Sequence, residues 1–315
     1  MQKVIPHLTQ AGQEVIGVDN FSRHEESQRS RNYEFVEGDL CDRQLVQKVC
    51  TGVNLIIQGA AQVYGVRGFH QYPASILARD MELHQNLLWE ACEKKMTRFV
   101  YISSSMVYER CQQTPSREED VEDMPIPKTD YGLSKLVGER LCRAFEQQYG
   151  LAFTIWRPFN IITPFERAES ESGISHVFAD FIKKIIIDHS NPMEVLGDGE
   201  QVRCFTWIDE VACAIGKRSF NEETRGQTFN LGNPEPITMK QLAQRIFANA
   251  QARHLIGQDQ RLGFTYRPIY DDDVRLRIPS IEKAQRILGW NPKVKLDEAL
   301  ERCIDAAIGE LKVST

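Results

Sequence analysis

Four short, largely apolar runs separated by helical stretches constrain this chain more than any other feature. Residues 13–20 (QEVIGVDN), 53–59 (VNLIIQG), 98–103 (RFVYIS) and 152–157 (AFTIWR) read as strands. The last three are apolar almost throughout, as strands are when both faces are covered. Between them lie helical patterns at 3–11, 42–49, 79–95 and 131–149. In the first, Val4, Leu8 and Ala11 share one face and Gly12 ends the helix. A further strand is expected at 33–37. Strand and helix in alternation predict an α/β fold, a doubly wound parallel sheet with helices on both faces.

After Phe159 the rhythm changes. A helix is expected over 175–189, loops at Pro192 and Gly197 to Gly199, and strand then helix over 206–219. A short strand follows at 227–231, then helices at 238–250, 283–288 and 296–308. The Pro- and acid-rich stretch 112–130 reads as a surface loop. Residues 1–160 are therefore expected to form one domain, with 206–232 returning to it. Residues 161–205 and 233–315 make a smaller mixed α/β domain.

Composition narrows the function classes. The 315 residues carry a net charge of −6, which argues against a nucleic-acid surface. No apolar run reaches the roughly 18–20 residues of a membrane helix. Pro6, His7, Gln10 and Gln13 interrupt any signal-peptide core. The eight Cys form no C-x-x-C pair and no zinc spacing, so reduced thiols, no metal site and a cytoplasmic location are expected.

Two features carry chemistry. Tyr131 and Lys135, in YGLSK, are four apart on one helical face. An ammonium beside a phenol lowers a pKa that starts near ~10, which suits Tyr131 to moving a proton. The preceding strand ends in YISSSMVY, whose serines can reach the same substrate oxygen. The second feature is the strand VIGVDN, which ends in Asp19. An acid there meets the adenosine ribose of a dinucleotide. The matching glycine-rich turn belongs about 20 residues upstream. Gly12 and Gly17 are both misplaced for that role, one after a helix and one inside the strand.

From near Val4 to Ile308 the chain resembles the extended short-chain dehydrogenases/reductases that act on nucleotide sugars, the NAD-dependent epimerase/dehydratase group. The resemblance rests on blocks in family order: VIGVDN, EGDL, IIQGAAQ, YISSSMVYE, YGLSK, RPFNIITP, GDGEQVRCFTWIDEVA, FNLGNPEPIT and IPSIEKAQRILGWNP. It implies a Rossmann-type domain at 1–160, a nucleotide-sugar domain after it, and NAD as cofactor. Asp19 and Asn20 would meet the ribose, Asp39 and Leu40 the adenine, and Ala60 the cofactor at its strand end. Tyr131 would be the acid/base and Ser104 its partner. Lys135 would tune Tyr131 and hold the nicotinamide ribose. Asn86 matches a family asparagine near the active site. Asn160 and Arg203 would contact the nucleotide diphosphate, and Arg277 is a candidate second phosphate partner. Pairing through the long helices implies a homodimer.

The chain departs from the pattern in places. The first strand and its glycine-rich turn are expected upstream of Met1, as in a truncated record. Gln58 stands where His is usual, and Glu109 where Gly is usual. Met106 occupies the position where dehydratases and decarboxylases of the group place a carboxylate, and a thioether moves no proton. The expected activity is that of an isomerase of carbohydrate metabolism: NAD-dependent 4-epimerisation of a nucleotide-diphospho sugar, most simply a UDP-sugar. The tail VRCFTWIDE and residues 272–279 instead resemble the decarboxylase branch. A UDP-glucuronate decarboxylase-like enzyme, a 4-ketoreductase and a truncated non-catalytic homologue remain as alternatives.

Overall fold

The computed structural model describes residues 1–22, 32–169, 173–268, 270 and 273–314. In chain order the first half runs α1 (Ile5–Gln10), β1 (Ile16–Asp19), β2 (Glu34–Glu37), α2 (Arg43–Val49), β3 (Leu55–Gln58), α3 (Val66–Gln71), α4 (Pro73–Glu93), β4 (Arg98–Ile102), α5 (Asp130–Tyr149) and β5 (Phe153–Pro158). The second half runs β6 (Ile161–Ile162), α6 (Val177–Ile182), β7 (Met193–Leu196), β8 (Val202–Cys204), β9 (Thr206–Trp207), α7 (Ile208–Arg218), β10 (Gln227–Leu231), β11 (Pro236–Thr238), α8 (Met239–Ala252), β12 (Phe264–Arg267), α9 (Glu282–Leu288) and α10 (Leu296–Ser314).

The central sheet has the order β10-β5-β4-β3, and every pair in it is parallel. Gln227 sits opposite Thr154, so a strand from late in the chain closes one edge. β1 and β2 form a separate parallel pair. Strand pleating sends neighbours to opposite faces. Phe99 and Tyr101 of β4, with Phe153 and Ile155 of β5, pack with Leu87, Leu88 and Phe145 from α4 and α5. Val100 and Trp156 face the other way, onto Leu8 of α1, Val211 and Ile215 of α7 and Phe229 of β10. Burying side chains of this size contributes about 1.5–3 kcal/mol each. A third core joins α6, α8 and α10 through Phe178, Leu242, Ile246, Leu300 and Ile304.

Local chemistry explains most boundaries. Asp42 caps α2 by accepting from the Gln44 and Leu45 amides. Thr129 caps α5 through the Gly132 amide. Gly150, at φ 73°, ends α5 in the left-handed conformation. α4 begins at Pro73, ahead of the expected 79, because Pro is a favourable first-turn residue rather than only a loop marker. The helix expected over 175–189 starts at Val177 and passes into a π-type turn at Lys183–Ile187. β7 and β12 were not expected. They pair in parallel, and β12 is mostly exposed, so its sequence carries no apolar alternation.

Helix α5 lies very close to β4. A Cβ on Gly138 would come within 2.2 Å of the Tyr101 hydroxyl, so only glycine allows this approach. Behind the contact is a buried polar knot. Arg157 of β5 donates from Nε and Nη2 to Glu139 of α5 at 2.8 and 2.6 Å. Ser103 donates to Glu139 at 2.6 Å, and Arg157 Nη1 donates to the Tyr108 hydroxyl at 2.6 Å. Tyr108 in turn donates to Asn230 of β10 at 2.7 Å.

Burial opposes ionisation of Glu139, but the Arg157 charge and hydrogen bonds hold its carboxyl below the usual value of 4.5. Such a group contributes stability above its unfolded pKa and loses it as pH falls through the folded value. Arg157→Met strands the carboxylate and is expected to cost about 3–5 kcal/mol. Urea midpoints at pH 7 check this. A wild-type midpoint would refute it.

Candidate active site

A cavity of about 400 Å³ opens where β3, β4 and β5 end, with residues from the second half of the chain completing its lining. It is lined by Ser104, Ser105, Tyr131, Lys135, Asn160, Arg203 and Arg277, among others. Of the sequence-predicted residues, Ser104, Tyr131, Lys135, Asn160, Arg203 and Arg277 line this cavity, whereas Asp19, Asn20, Asp39, Leu40, Ala60 and Asn86 do not.

Ser104 follows β4, and its Oγ accepts from the Met106 amide at 3.1 Å, fixing a 3₁₀ turn over Ser105–Tyr108. Tyr131 lies one residue into α5. Its ring stacks on Phe69 at 4.7 Å between centroids, with the planes 7° apart. Ile76 and Met106 complete this apolar cluster. The Lys135 ammonium is 5.6 Å from the ring centres of both Tyr101 and Tyr131, and donates to the Ile102 carbonyl at 3.5 Å. Arg277 Nη1 donates to Ser105 Oγ at 3.4 Å, while its buried Nε has no partner.

Burial pushes the Tyr131 phenol up, the Ser104 hydroxyl and the Arg277 charge pull it back, and Asp80 raises it. The Lys135 ammonium stands 5.6 Å from the centre of the same ring. Burial also lowers Lys135, with Asp80 opposing. Burial drives the Arg277 guanidinium down to about 9, aided by the Arg203 charge. Guanidinium groups do not lose their proton in proteins. Half-buried in the cavity wall, Arg277 is a cation placed to attract an anion.

Arg203 is already engaged. It donates to Asp273 at 3.1 Å and to the Val274 carbonyl at 2.6 Å. Asn160, at φ 33°, donates from its amide to the Cys204 carbonyl at 3.1 Å. Both line the cavity. Arg277 sits at its reactive end, beside Ser105 and Tyr131.

Asn86 is not part of this group. Its amide donates to the Leu40 and Cys41 carbonyls at 3.2 and 3.0 Å. It sits on the face of α4 that holds the turn after β2, whereas Asp80 of α4 hydrogen-bonds Ser134 of α5, beside Lys135.

The expected cofactor residues line the strand ends. Asp19 closes β1, and its Oδ1 accepts from the Phe21 amide at 2.9 Å. Asn20 accepts from the Ser22 amide at 3.1 Å. Asp39, just before Leu40, pairs with Arg79 and accepts from the Cys41 amide at 2.9 Å. Burial opposes ionisation of Asp39, but these two partners hold its carboxyl below the ordinary value. The Ala60 carbonyl accepts from Gln58 at 2.7 Å. These groups fit NAD at its two ribose ends. Asp19 is exposed at the strand end. Lys135 makes a single 3.5 Å hydrogen bond, leaving N–H groups for ribose hydroxyls. No glycine-rich turn precedes α1 among the described residues, so no diphosphate cradle is assigned here.

Glu109, uninterpreted in the sequence, has a clear place. Its buried carboxylate accepts from the Lys128 amide, the Thr129 amide at 2.8 Å and the Thr129 hydroxyl at 2.7 Å. It thereby clamps the start of the helix that carries Tyr131. No local sequence signal marks such a long-range bond. No helix among the described residues is long and apolar enough to cross a membrane.

Comparisons with known proteins show what this chain is similar to. The model of the NAD dependent epimerase/dehydratase family matches residues 2–232. A UDP-glucuronate 4-epimerase from Thermodesulfobacterium geofontis is 26% identical, covering 95% of this chain and 90% of that protein. The crystal structure of a UDP-glucose 4-epimerase from Thermotoga maritima, with UDP-glucose, superposes with a TM-score of 0.82 at 25% identity, covering 98% of this chain and 95% of that one. That of a UDP-glucuronic acid 4-epimerase from Bacillus cereus, with UDP-glucuronic acid and NAD, gives a TM-score of 0.82 at 21% identity, covering 98% and 95%. With the family model spanning most of the chain and the Ser104, Tyr131 and Lys135 side chains gathered at the ends of a parallel sheet, this chain belongs to the NAD-dependent epimerase/dehydratase family of nucleotide-sugar enzymes.

Proposed function

We propose that this chain is a nucleotide-sugar 4-epimerase acting on a UDP-sugar. One observation carries the reading. Met106, where the other reaction types of the group need a carboxylate, is an apolar wall packed with Tyr131. Glu109, the nearest acid in the cavity lining by sequence, is occupied by three hydrogen bonds to 128–129 and is not free to move a proton. The names of the 4-epimerase relatives support the same reading.

The roles follow from position. Bound NAD would supply reversible hydride chemistry at C4 of the sugar. Tyr131 takes the O4 proton during oxidation and gives it back afterwards. Ser104 holds the same oxygen. Lys135 and Asp19 hold the ribose hydroxyls, with Asn20, Asp39, Leu40 and Ala60 along the cofactor path. Asn160, Arg203 and Arg277 hold the substrate, with Arg277 beside Ser105 supplying a positive charge on the substrate side. Phe69 and Met106 keep water from the phenol. Proton and hydride are both returned, so there is no net redox change.

A second copy of the chain is proposed to pair through α4 and α5. Trp89 and Tyr149 are 42% and 47% exposed there and pack edge-on with each other and with Phe145. Sedimentation equilibrium tests this. A monomer that persists at tens of micromolar contradicts it.

Tyr131→Phe is expected to lower kcat by about 10²–10⁴-fold with little change in UDP-sugar affinity. Wild-type turnover would refute its role. Arg277→Gln is expected to weaken UDP-sugar binding by roughly 10–100-fold, as loss of a charge-assisted hydrogen bond does. Calorimetry checks this, and unchanged affinity would place Arg277 outside the substrate contacts.

A further inference from the structure

Asp80, in the first half of α4, has no exposed surface. Its Oδ2 accepts from the Ser134 hydroxyl at 3.0 Å, and its Oδ1 from the Gln62 amide at 3.2 Å. Ser134 stands between Tyr131 and Lys135 on α5. Gln62 belongs to the loop after β3, whose Gly59, Ala61 and Val63 line the cavity. One carboxylate thus joins α4, α5 and a wall of the site.

Two hydrogen bonds are few for a buried carboxylate, which has about four acceptor positions. Within 4.0 Å it forms no ion pair among the described residues. A buried charge so placed needs a counter-charge nearby. The surrounding groups leave one choice. His84, on the same helix, is neutral, because burial and Lys135 push it down to about 3. Tyr101 of β4 and Tyr131 of α5 are phenols held up by burial. Arg277 lies across the cavity, beyond Tyr131 and beside Ser105. Lys135 is the remaining cation, and Asp80 is the carboxylate that acts on it.

We propose that Asp80 is a positioning residue for the reaction: it is the counter-charge of Lys135 and ties the Tyr131–Lys135 turn to the loop after β3. Asp80 makes the proton of Tyr131 harder to remove and that of Lys135 harder to lose. It lets a lysine sit dry beneath the cofactor site and still be an ammonium.

Two measurements test this. The first is a double-mutant cycle in Tm, which uses neither substrate nor NAD. Lys135→Met should lower Tm by stranding the Asp80 charge. Asp80→Asn in that background should recover at least about 2 °C of the loss. Additive effects, or no recovery, overturn the proposal. The second rests on the 4-epimerase reading and is the pH profile of kcat. Asp80→Asn removes the charge that opposes Tyr131 ionisation, so the acid limb should move down by about one pH unit. Ser134→Ala keeps the charge and should leave the limb in place while lowering kcat. An unmoved limb in Asp80→Asn, or equal shifts in both variants, reduces Asp80 to a hydrogen-bonding strut and overturns the proposal. Failure of the activity reading leaves the Tm cycle standing, so the two failures are distinguishable.

Discussion

The docking of α5 onto β4 and β5 is the contact on which the rest depends. It is made possible by Gly138, which admits the Tyr101 hydroxyl, and it is locked by the buried Glu139–Arg157 pair. The same helix carries Tyr131 and Lys135, and the same strand ends in Ser103 and Ser104. Because Ser103 also donates to Glu139, helix and strand end are held in one hydrogen-bonded frame. A buried pair of this kind is weak evidence of net stability, since desolvation offsets much of the attraction. Its contribution is geometric. It sets the phenol, the hydroxyl and the ammonium at fixed distances before any ligand arrives.

The charges around the site form two layers. Facing the cavity is Arg277, a half-buried cation whose buried Nε is unpartnered. Behind the Tyr–Lys pair is Asp80, a buried anion with two hydrogen bonds. Tyr131 lies between them and feels both, with opposite sign. The Glu109 charge also acts on Arg277, while its oxygens are held by the residues that open α5. Tyr131 is therefore tuned from the substrate side by Arg277 and Ser104, and from behind by Asp80.

Much of this was legible in the sequence, for identifiable reasons. The strands at 53–59, 98–103 and 152–157 are apolar on both faces, so their burial shows in composition. Tyr131 and Lys135 follow from their spacing on a helix, while Ser104 is singled out from a serine-rich strand end by the family resemblance. Asn86 shows the limit: its amide holds the turn after β2, whereas Asp80, six residues earlier on the same helix, bonds Ser134 beside Lys135. Asp80 and Glu109 act through partners 54 and 20 positions away, contacts that no local pattern encodes. β12 escaped notice because an exposed strand has no apolar face to display.

The most direct test of the whole account follows a label at C4. UDP-glucuronate or UDP-glucose carrying deuterium at that carbon is incubated with the purified protein and NAD, and the products are analysed by mass spectrometry and NMR. The account predicts the C4 epimer with the deuterium retained, no CO₂ and no net change in NAD. Release of CO₂, net consumption of a reduced nicotinamide, or loss of the label to solvent would contradict it.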